Sequence, residues 1–305
     1  MSDGPKLLLV DGANLCFREF FSKKNLSHKG KAVDVLYGVF KSLVSCHKKW
    51  PEHFRIVCWE GGYARRLAES EAAVEAGLIP SSYKQPRREL SAEPEKAAER
   101  ESLFEQMEQL ELLLGRTKTM QSRIDGYEAD DVIHSYADWV ARHDGEAVII
   151  SSDQDFYQCL RPNVQVFDAR AKELWTFERF EKEFTFSPEL WVDKGAIEGE
   201  IGPSKDNIFG VEGWGPVNAC KYVCEFGDID AIREALLEKK KRGKREDTYI
   251  AQEERLRLAK SLKRMDVIPD LSMPRVLRNI EKADVEKMFL EYGFASLLKE
   301  SWRFA

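Results

Sequence analysis

Short apolar runs that each end abruptly in acidic residues constrain this chain more than any other feature of its sequence. Such runs are typical of strands buried in a parallel sheet, because both faces of these strands are covered. In an open α/β sheet, the carboxyl ends of the strands face the ligand crevice. We therefore expect the acids that follow the runs to meet at one edge of a sheet. The runs are residues 6–10 (K-L-L-L-V), 55–59 (R-I-V-C-W) and 147–150 (A-V-I-I), and the acids are Asp11, Glu60, Asp153 and Asp155.

A second group of acids precedes a helical pattern. Residues 126–133 read G-Y-E-A-D-D-V-I, which places Glu128, Asp130 and Asp131 at the start of a helix. Acidic residues in a first turn complement the positive end of the helix dipole. Apolar residues then recur at helical spacing, namely Val132, Ile133, Tyr136 and Val140. A helix N-terminus and a strand C-terminus both face the crevice, so we expect the two groups of acids to share it.

Carboxylates that share a cleft repel one another unless cations hold them. Ligand sets made only of oxygen suit Mg²⁺ or Mn²⁺. The pattern therefore indicates a divalent-metal site, and the alternative is a pair of solvated acidic turns. The net charge of −6 at first argues against a nucleic-acid partner. However, carboxylates gathered around metals make a protein acidic for that reason alone, and local basic patches matter more than the sum of charges.

The remaining composition is that of a globular protein of 305 residues, long enough for one large domain or two smaller ones. No apolar run approaches the roughly 18 residues of a membrane span, and the first residues do not resemble a signal peptide. The six cysteines are scattered, without a C-x-x-C pair. We expect reduced thiols, a cytoplasmic location (the host cytoplasm if a bacteriophage encodes the chain) and no membrane partner.

Basic residues in two parts of the chain, residues 81–89 and Arg18, could supply positive charge near the acids. Residues 81–89 (S-S-Y-K-Q-P-R-R-E) contain Tyr83, Lys84, Arg87 and Arg88. A charge-rich helical region follows, and Pro94 predicts that it forms two helices rather than one. That region is either a solvated face or a mobile element that grips substrate. Near the first strand, Arg18 could hold a phosphate while Phe20 and Phe21 stack on a base, although both phenylalanines are equally consistent with a core position.

A glycine-rich turn lies in the second half of the chain. Gly210, Gly213 and Gly215 punctuate it, and Pro216 is well placed to open the next helix. Such a turn exposes backbone N–H groups to a phosphate, or its carbonyls hold a monovalent cation that meets the phosphate. Glu200 and Asp206 precede the turn and could complete a second metal position.

Taken together, these motifs resemble the 5′-nuclease (flap endonuclease) superfamily, most closely the bacteriophage enzymes and the nuclease domain of bacterial family A DNA polymerases. The resemblance runs from residue 6 to about residue 232. Its motifs are L-L-L-V-D-G-A-N-L-C-F-R, Y-K-Q-P-R, G-Y-E-A-D-D-V-I, S-S-D-Q-D-F and D-N-I-F-G-V-E-G-W-G-P. Each motif alone is weak evidence, but five in the family's order are specific.

The resemblance implies an α/β fold with a mostly parallel central sheet flanked by helices, a PIN-like nuclease core. It implies a core at residues 1–195 that includes a helical arch at 81–115. Residues 196–305 would form a helix–three-turn–helix DNA-binding unit and a C-terminal helical region. The first metal would be held or oriented by Asp11, Glu128, Asp130, Asp131, Asp153 and Asp155, and the second by Asp155 with Asp206.

The resemblance also assigns roles to basic and glycine residues. Lys84 and Arg87 would stabilise the scissile phosphate, and Asp155 is counted with them as catalytic. The duplex would contact the glycine turn, where a K⁺ ion is a candidate mediator. The DNA-binding candidates are Arg18, Phe21, Tyr83, Arg88, Gly210, Gly213 and Gly215. This chain departs from the family's pattern at two points. Glu60 and Glu200 stand where the family usually has aspartate, and residues 201–205 lengthen the spacing between Glu200 and Asp206. A glutamate reaches about one bond further and can still ligate, but Mg²⁺ geometry is demanding.

The expected activity is that of a divalent-metal-dependent 5′-3′ exonuclease and flap endonuclease that acts in DNA replication and repair. We expect a monomer with two ions of Mg²⁺ or Mn²⁺ that hydrolyses branched, nicked or 5′-ended DNA and leaves a 5′-phosphate. RNA primers on DNA are included among the expected substrates. One alternative is a structure-specific DNA-binding protein with weak or lost catalysis. Another is an RNA-directed nuclease of the related small-domain families, against which the glycine turn argues.

Overall fold

The central feature of the computed structural model is a six-stranded sheet. The structure describes residues 4–22, 25–91, 94–276 and 279–305, and the side chains of residues 90–98 lie outside that description. The strand order is β5-β4-β1-β6-β7-β8. Only the pairing of β7 with β8 is antiparallel, so the expected mostly parallel sheet is confirmed. The strands are β1 (Lys6–Asp11), β4 (Phe54–Trp59), β5 (Met120–Arg123), β6 (Glu146–Ile150), β7 (Val164–Asp168) and β8 (Glu173–Trp175).

The three apolar runs form the middle of this sheet because both of its faces are covered. Successive side chains of a strand point to opposite faces, and the two hydrophobic clusters follow this alternation. Leu7, Leu9, Ile56, Cys58, Ala147 and Ile149 belong to one cluster. Leu8, Val10, Val57, Trp59, Val148 and Ile150 belong to the other. Parallel pairing of β1 with β4 and with β6 then brings the carboxyl ends of all three strands to the same edge.

Helices cover each face. On the face of Leu8 and Val10, the buried apolar residues come from the helices that follow β1, from the long helix before β5 and from the end of the chain. On the opposite face they come from the helix after β5 and from the helices after β8. The first eight helices are α1 (Gly12–Phe21), α2 (Asp34–Lys49), α3 (Ala64–Glu75), α4 (Gln85–Ser91), α5 (Pro94–Leu114), α6 (Ala129–Arg142), α7 (Phe177–Phe184) and α8 (Trp191–Glu198). The others are α9 (Pro216–Phe226), α10 (Ile229–Glu238), α11 (Lys244–Ala251), α12 (Glu253–Lys263) and α13 (Lys282–Glu291).

Short elements complete the chain. A hairpin joins β2 (Ser27–His28) to β3 (Lys31–Ala32). The 3₁₀ helices are Gln154–Cys159, Pro188–Leu190 and Ala295–Arg303. Near the end of the chain, Phe304 is fully buried against Phe40 and Phe289, with ring centroids 5.2 and 5.8 Å apart. None of the helices within the described ranges is both long and apolar enough to cross a lipid bilayer.

Several local expectations needed correction. Strand β8 ends at Trp175, because Thr176 caps α7 by accepting a hydrogen bond from the N–H of Arg179. Strand β5 was not expected, since its sequence M-Q-S-R contains no apolar run. The helical region around Pro94 does form two helices, α4 and α5, and residues 92 and 93 between them lie outside the described residues. Phe21 is 61% exposed, so the interpretation of this residue as core was wrong.

Candidate active site

Acidic side chains from distant parts of the chain line one pocket at the carboxyl edge of the sheet. The pocket has a volume of about 790 Å³. It lies where β1, β4 and β6 end and where α6 begins, as expected for a ligand crevice. Lysine and arginine side chains complete the wall. The acidic lining residues are Asp11, Glu60, Asp130, Asp153, Asp155, Glu198, Glu200 and Asp206, and the basic ones are Lys84, Arg87, Lys194, Lys205 and Lys263.

Asp11 is both the last residue of β1 and the N-cap of α1. Its Oδ1 accepts a hydrogen bond of 2.9 Å from the N–H of Asn14, and its Oδ2 accepts one of 3.0 Å from the hydroxyl of Ser151. The side chain is almost completely buried. Burial raises the pKa of Asp11 to about 6, and the nearby charge of Asp153 acts in the same direction. The carboxylate is therefore held rigidly in a place that disfavours its charge.

Asp153 occupies the equivalent position after β6. It caps the 3₁₀ helix Gln154–Cys159 by accepting a hydrogen bond of 2.8 Å from the N–H of Asp155. The hydroxyl of Ser151 accepts a hydrogen bond of 3.2 Å from the N–H of Asp153, so Ser151 connects this residue to Asp11. The desolvation imposed by the pocket walls raises the pKa of Asp153 to about 6, and the charge of Asp155 adds to this rise.

Glu60 and Asp130 form the opposite side of the acidic floor. Glu60 follows β4, and its Oε2 accepts a hydrogen bond of 3.2 Å from the N–H of Ala129 at the start of α6. Desolvation raises the pKa of Glu60 to about 7, against the opposing charge of Lys84. Burial, Glu128 and Glu60 also raise the pKa of Asp130 well above its usual value. These acids would become more acidic if a cation neutralised the pocket.

Glu128 and Asp131 lie behind the pocket and do not line it. Both are about 1% exposed, and Arg66 lies between them. Arg66 donates hydrogen bonds of 2.6 Å to Glu128 and of 2.8 and 2.7 Å to the two oxygens of Asp131. Asp131 also accepts from the backbone N–H groups of Glu128 and Asp266. In the structure, these two acids therefore hold an arginine. The role of Glu128 and Asp131 as metal ligands stays a prediction.

The acids predicted for the second metal position contact lysine and arginine side chains instead. Lys263 donates hydrogen bonds to Asp155 at 2.9 and 3.2 Å and to Glu200 at 2.5 Å. Although burial alone would lower the pKa of Lys263, the charges of Asp155 and Glu200 raise it above its usual value. Asp206 accepts hydrogen bonds from Arg87 at 3.2 Å and from the hydroxyl of Tyr83 at 3.0 Å.

The donor chemistry of the pocket suits a hard divalent cation, but the side chains are not arranged around one. The lining acids offer only oxygen, and burial raises the pKa values of those at the first position above what the nearby lysines can offset. Among the described residues, no three side chains of Asp, Glu, His or Cys are close enough to form a metal-binding group as they stand. The first position therefore fits a cation by its chemistry, whereas the second contains a lysine.

Lys84 and Arg87 approach the acids from the segment that leads into α4. Lys84 has a positive φ of 54° and donates its backbone N–H to the carbonyl of Asp206 at 2.9 Å. Its ammonium forms an ion pair with Glu128 and lies 5.1 Å from the ring centre of Tyr83. The Arg87 side chain is 45% exposed. Both cations thus face the pocket from outside the sheet, as the sequence indicated.

The predicted DNA-binding residues are spread over several environments. Arg18 is paired with Glu19 and Ser42, both at 2.8 Å, and does not line the pocket. Phe21 is exposed and stacks on Phe17. Tyr83 is buried, with its hydroxyl between Glu128 and Asp206. Arg88 contacts the hydroxyls of Ser82 at 3.0 Å and Tyr63 at 3.4 Å.

The glycine turn presents one buried and two exposed glycines. Gly210 is buried against Gly199, while Gly213, with a φ of 78°, and Gly215 are exposed. Pro216 opens α9, as expected. The exposed N-terminus of a helix after a glycine turn is suited to a phosphate.

A second, more apolar cavity of about 1080 Å³ adjoins the acidic pocket. The lining residues that the two share are Ala13, Phe17, Glu60, Lys84 and Arg87. Side chains of α5, including Phe104 and Met107, form its far wall. An extended ligand that passes from the acidic pocket beyond Lys84 would therefore contact an apolar surface beneath α5.

Sequence reasoning missed several residues of this site, among them Lys263, Arg66, Ser151 and Asn14. Lys263 and Arg66 belong to charge-rich helices that look solvated, and no local signal separates them from their exposed neighbours. Ser151 and Asn14 were present in the quoted motifs but were not assigned a role. Asn14 accepts hydrogen bonds from the N–H and hydroxyl of Ser152, and it thereby joins the loops after β1 and β6.

Comparison with known proteins identifies relatives along most of the chain. A thermostable DNA polymerase I of Thermus thermophilus is 31% identical over 299 residues, which are 97% of this chain and 33% of the polymerase. The chain thus spans about a third of the length of this relative. A 5′-3′ exonuclease of Aquifex aeolicus is 27% identical over 301 residues, which are 96% of this chain and 94% of that protein.

Solved structures share the fold. A T5 5′-exonuclease with bound divalent metal ions (zinc) has a TM-score of 0.70 at 25% identity, and the match covers 85% of this chain and 89% of that one. A bacteriophage T5 flap endonuclease in complex with DNA and metal ions has a TM-score of 0.68 at 22% identity, over 97% and 98% of the two chains.

The fold and these relatives place this protein in the class of the 5′-3′ exonucleases. The sequence profile described as "5′-3′ exonuclease, N-terminal resolvase-like domain" matches residues 6–185. The chain belongs to the 5′-3′ exonuclease family.

Proposed function

We propose that this chain is a structure-specific 5′-nuclease that hydrolyses phosphodiesters of 5′-flap, nicked or 5′-ended DNA with Mg²⁺ or Mn²⁺. One observation carries the proposal: eight carboxylates from distant segments line one pocket whose rim bears Lys84 and Arg87. Divalent ions, when bound, lower the pKa of water and neutralise charge on a phosphate. Asp11, Glu60, Asp130 and Asp153 would hold the first ion.

The residues of the chain would supply orientation and charge. Ser151 and the N–H groups of Asn14 and Asp155 hold Asp11 and Asp153 in fixed rotamers, which reduces the reorganisation needed to bind a cation. Lys84 and Arg87 would contact the non-bridging oxygens of the scissile phosphate. Arg87 is half exposed and can reach a substrate at the pocket mouth, whereas Lys84 would first exchange contacts with Glu128.

Recognition of duplex DNA would fall to the second half of the chain. We propose the division expected from the sequence, with a nuclease core and arch over residues 1–195 and a duplex-binding region over residues 196–305. Gly213 and Gly215 are exposed beside the N-terminus of α9, which supports contact with the duplex backbone. A K⁺ ion at this turn, action as a monomer, acceptance of RNA primers and a cytoplasmic location remain predictions.

A fluorescent 5′-flap substrate tests the proposal. Native protein should release the flap in Mg²⁺ or Mn²⁺ and should be inactive in EDTA. Asp153→Asn should abolish cleavage and retain DNA binding, because it removes a ligand and a negative charge near the phosphates. Asp125→Asn is the matched control, since Asp125 is exposed and does not line the pocket. Folded native protein that cleaves no branched or 5′-ended DNA with any divalent metal would refute the proposal.

A second candidate is a structure-specific DNA-binding protein with weak catalysis. Lys263 within the second metal position favours it, because that position is not arranged for an ion. Tight flap binding combined with turnover that does not respond to Mg²⁺ or Mn²⁺ would support this candidate. Comparing binding and cleavage on the same flap separates the two functions.

A further inference from the structure

Lys263 ends α12 and reaches into the acidic pocket between two of the acids predicted for the second metal position. Its ammonium donates to both oxygens of Asp155, at 3.2 and 2.9 Å, and to Oε2 of Glu200 at 2.5 Å. Only 9% of the side chain is exposed. A protein cation is therefore bound by carboxylates that the family resemblance assigns to a metal ion.

The backbone around Lys263 is anchored on two sides. Gln158 donates to the carbonyl of Lys263 at 3.4 Å and accepts from the N–H of Met265 at 3.0 Å. Arg66 donates to the carbonyls of the residues on either side of Lys263, both at 3.0 Å. Because Arg66 is itself buried between carboxylates, the end of α12 is held by the interior of the protein.

The first position differs from the second in this respect. In the part of the chain that the structure describes, neither Asp11 nor Asp153 forms a salt bridge, and their hydrogen-bond donors are neutral. These donors are the Ser151 hydroxyl and the N–H groups of Asn14 and Asp155. The two positions therefore differ: Asp11 and Asp153 have no direct ion pair among the described residues, whereas Asp155 and Glu200 pair directly with Lys263.

We propose that the ammonium of Lys263 takes the place of the second divalent ion in the free protein, so that the chain binds one divalent ion tightly and resists a second. A dication close to an ammonium is repelled, and this repulsion is strong where water is scarce. The proposal rests on the proposed function in taking the pocket acids as metal ligands. It makes Lys263 a determinant of how many ions the nuclease holds.

Counting bound Mn²⁺ on the full chain tests the proposal without reference to activity. Mn²⁺ would be titrated and followed by calorimetry and by the electron paramagnetic resonance signal of the free ion. The native protein should bind one ion tightly. Lys263→Met keeps the length of the side chain but removes its charge, so it should bind two ions. The affinity for the second ion should rise at least about tenfold, because an adjacent like charge has been removed.

Two variants serve as controls. Lys260→Met removes a lysine one turn earlier on α12, where the ammonium pairs with Asp193 at 2.6 Å outside the pocket, and its ion count should match the native protein. Lys263→Arg keeps the positive charge and should also bind one ion tightly. Melting curves from circular dichroism would establish that each variant is folded.

The outcomes are distinguishable. Two tightly bound ions in the native protein would overturn the proposal even if Lys263→Met failed to fold. A folded Lys263→Met protein with an unchanged count would also overturn it. Native protein that binds no Mn²⁺ would overturn both this inference and the metal site of the proposed function. Flap cleavage in EDTA would then confirm that the proposed metal dependence is wrong.

Discussion

Arg66 is a buried residue whose removal should strongly destabilise the fold. Its side chain is 4% exposed and donates three hydrogen bonds to Glu128 and Asp131, at 2.6, 2.8 and 2.7 Å. Two further hydrogen bonds of 3.0 Å go to carbonyls at the end of α12. Arg66→Met would leave two buried carboxylates without this partner, although Lys84 still contacts Glu128.

The expected loss is about 3–5 kcal/mol, the usual result of removing one partner of a buried ion pair. The summed free energies of the five Arg66 hydrogen bonds would exceed this loss. However, water and neighbouring groups can move into the space that the guanidinium leaves. Urea denaturation monitored by circular dichroism would measure the free energy of unfolding. Asp131→Asn in the Arg66→Met background should recover at least about 1 kcal/mol, because the two residues are in direct contact.

The adjacent arginine provides a matched control. Arg65 pairs with Asp266 at 2.6 Å and with Glu69 at 3.0 Å, but its side chain is 29% exposed. Arg65→Met should therefore cost only about 1 kcal/mol, as solvated ion pairs do. Equal losses for the two substitutions, or a loss below about 1 kcal/mol for Arg66→Met, would refute the reasoning that the buried acids depend on Arg66.

Three further predictions concern the pocket and the glycine turn. The pKa values of Asp11, Glu60 and Asp153 are raised to about 6, 7 and 6. Their unfolded values are about 4, so the stability they contribute to the metal-free protein is present below pH 4 and lost as pH rises to about 7. Mg²⁺ should therefore raise the melting temperature more at pH 8 than at pH 5, and an equal rise at both values would contradict this. Lys84→Met should lower single-turnover flap cleavage about 10²-fold, as loss of one transition-state donor does, while Lys205→Met, an exposed lysine at the same pocket, should change it far less. In Gly210→Ala the new Cβ would lie 2.5 Å from Gly199 N and Ile197 O, and the strain should cost about 1–3 kcal/mol in chemical denaturation. Gly215→Ala, where the Cβ meets open space, should be nearly neutral.

The strand pattern led directly to the location of the candidate site. Asp11, Glu60 and Asp153 follow apolar runs, and the edge shared by parallel strands brings them into one pocket. This step needs no long-range information beyond parallel pairing, because every strand of such a sheet ends on the same side. The same local reasoning predicted the helix that begins beside Asp130 and the opening of α9 at Pro216.

Polar edge strands and short hairpins escaped this reasoning. Strand β5 has four residues, of which Ser122 alone is buried, and it pairs with β4 at the edge of the sheet. An edge strand with one exposed side needs no apolar run, so its sequence resembles that of a loop. Its identity as a strand comes from the hydrogen bonds that β4 offers.

The amino-acid order alone shows that acids follow buried strands and that they need cations, since strand periodicity and carboxylate repulsion are local properties. Which cation each acid contacts is decided by tertiary structure. Arg66 is 65 residues from Asp131, and Lys263 is 108 residues from Asp155. An ion pair between such distant residues depends on helix packing to within an ångström, and no periodicity encodes that. The acids that resemble one another in the sequence are thereby divided in the fold into those that hold an arginine, those that hold a lysine and those for which we propose a metal ion.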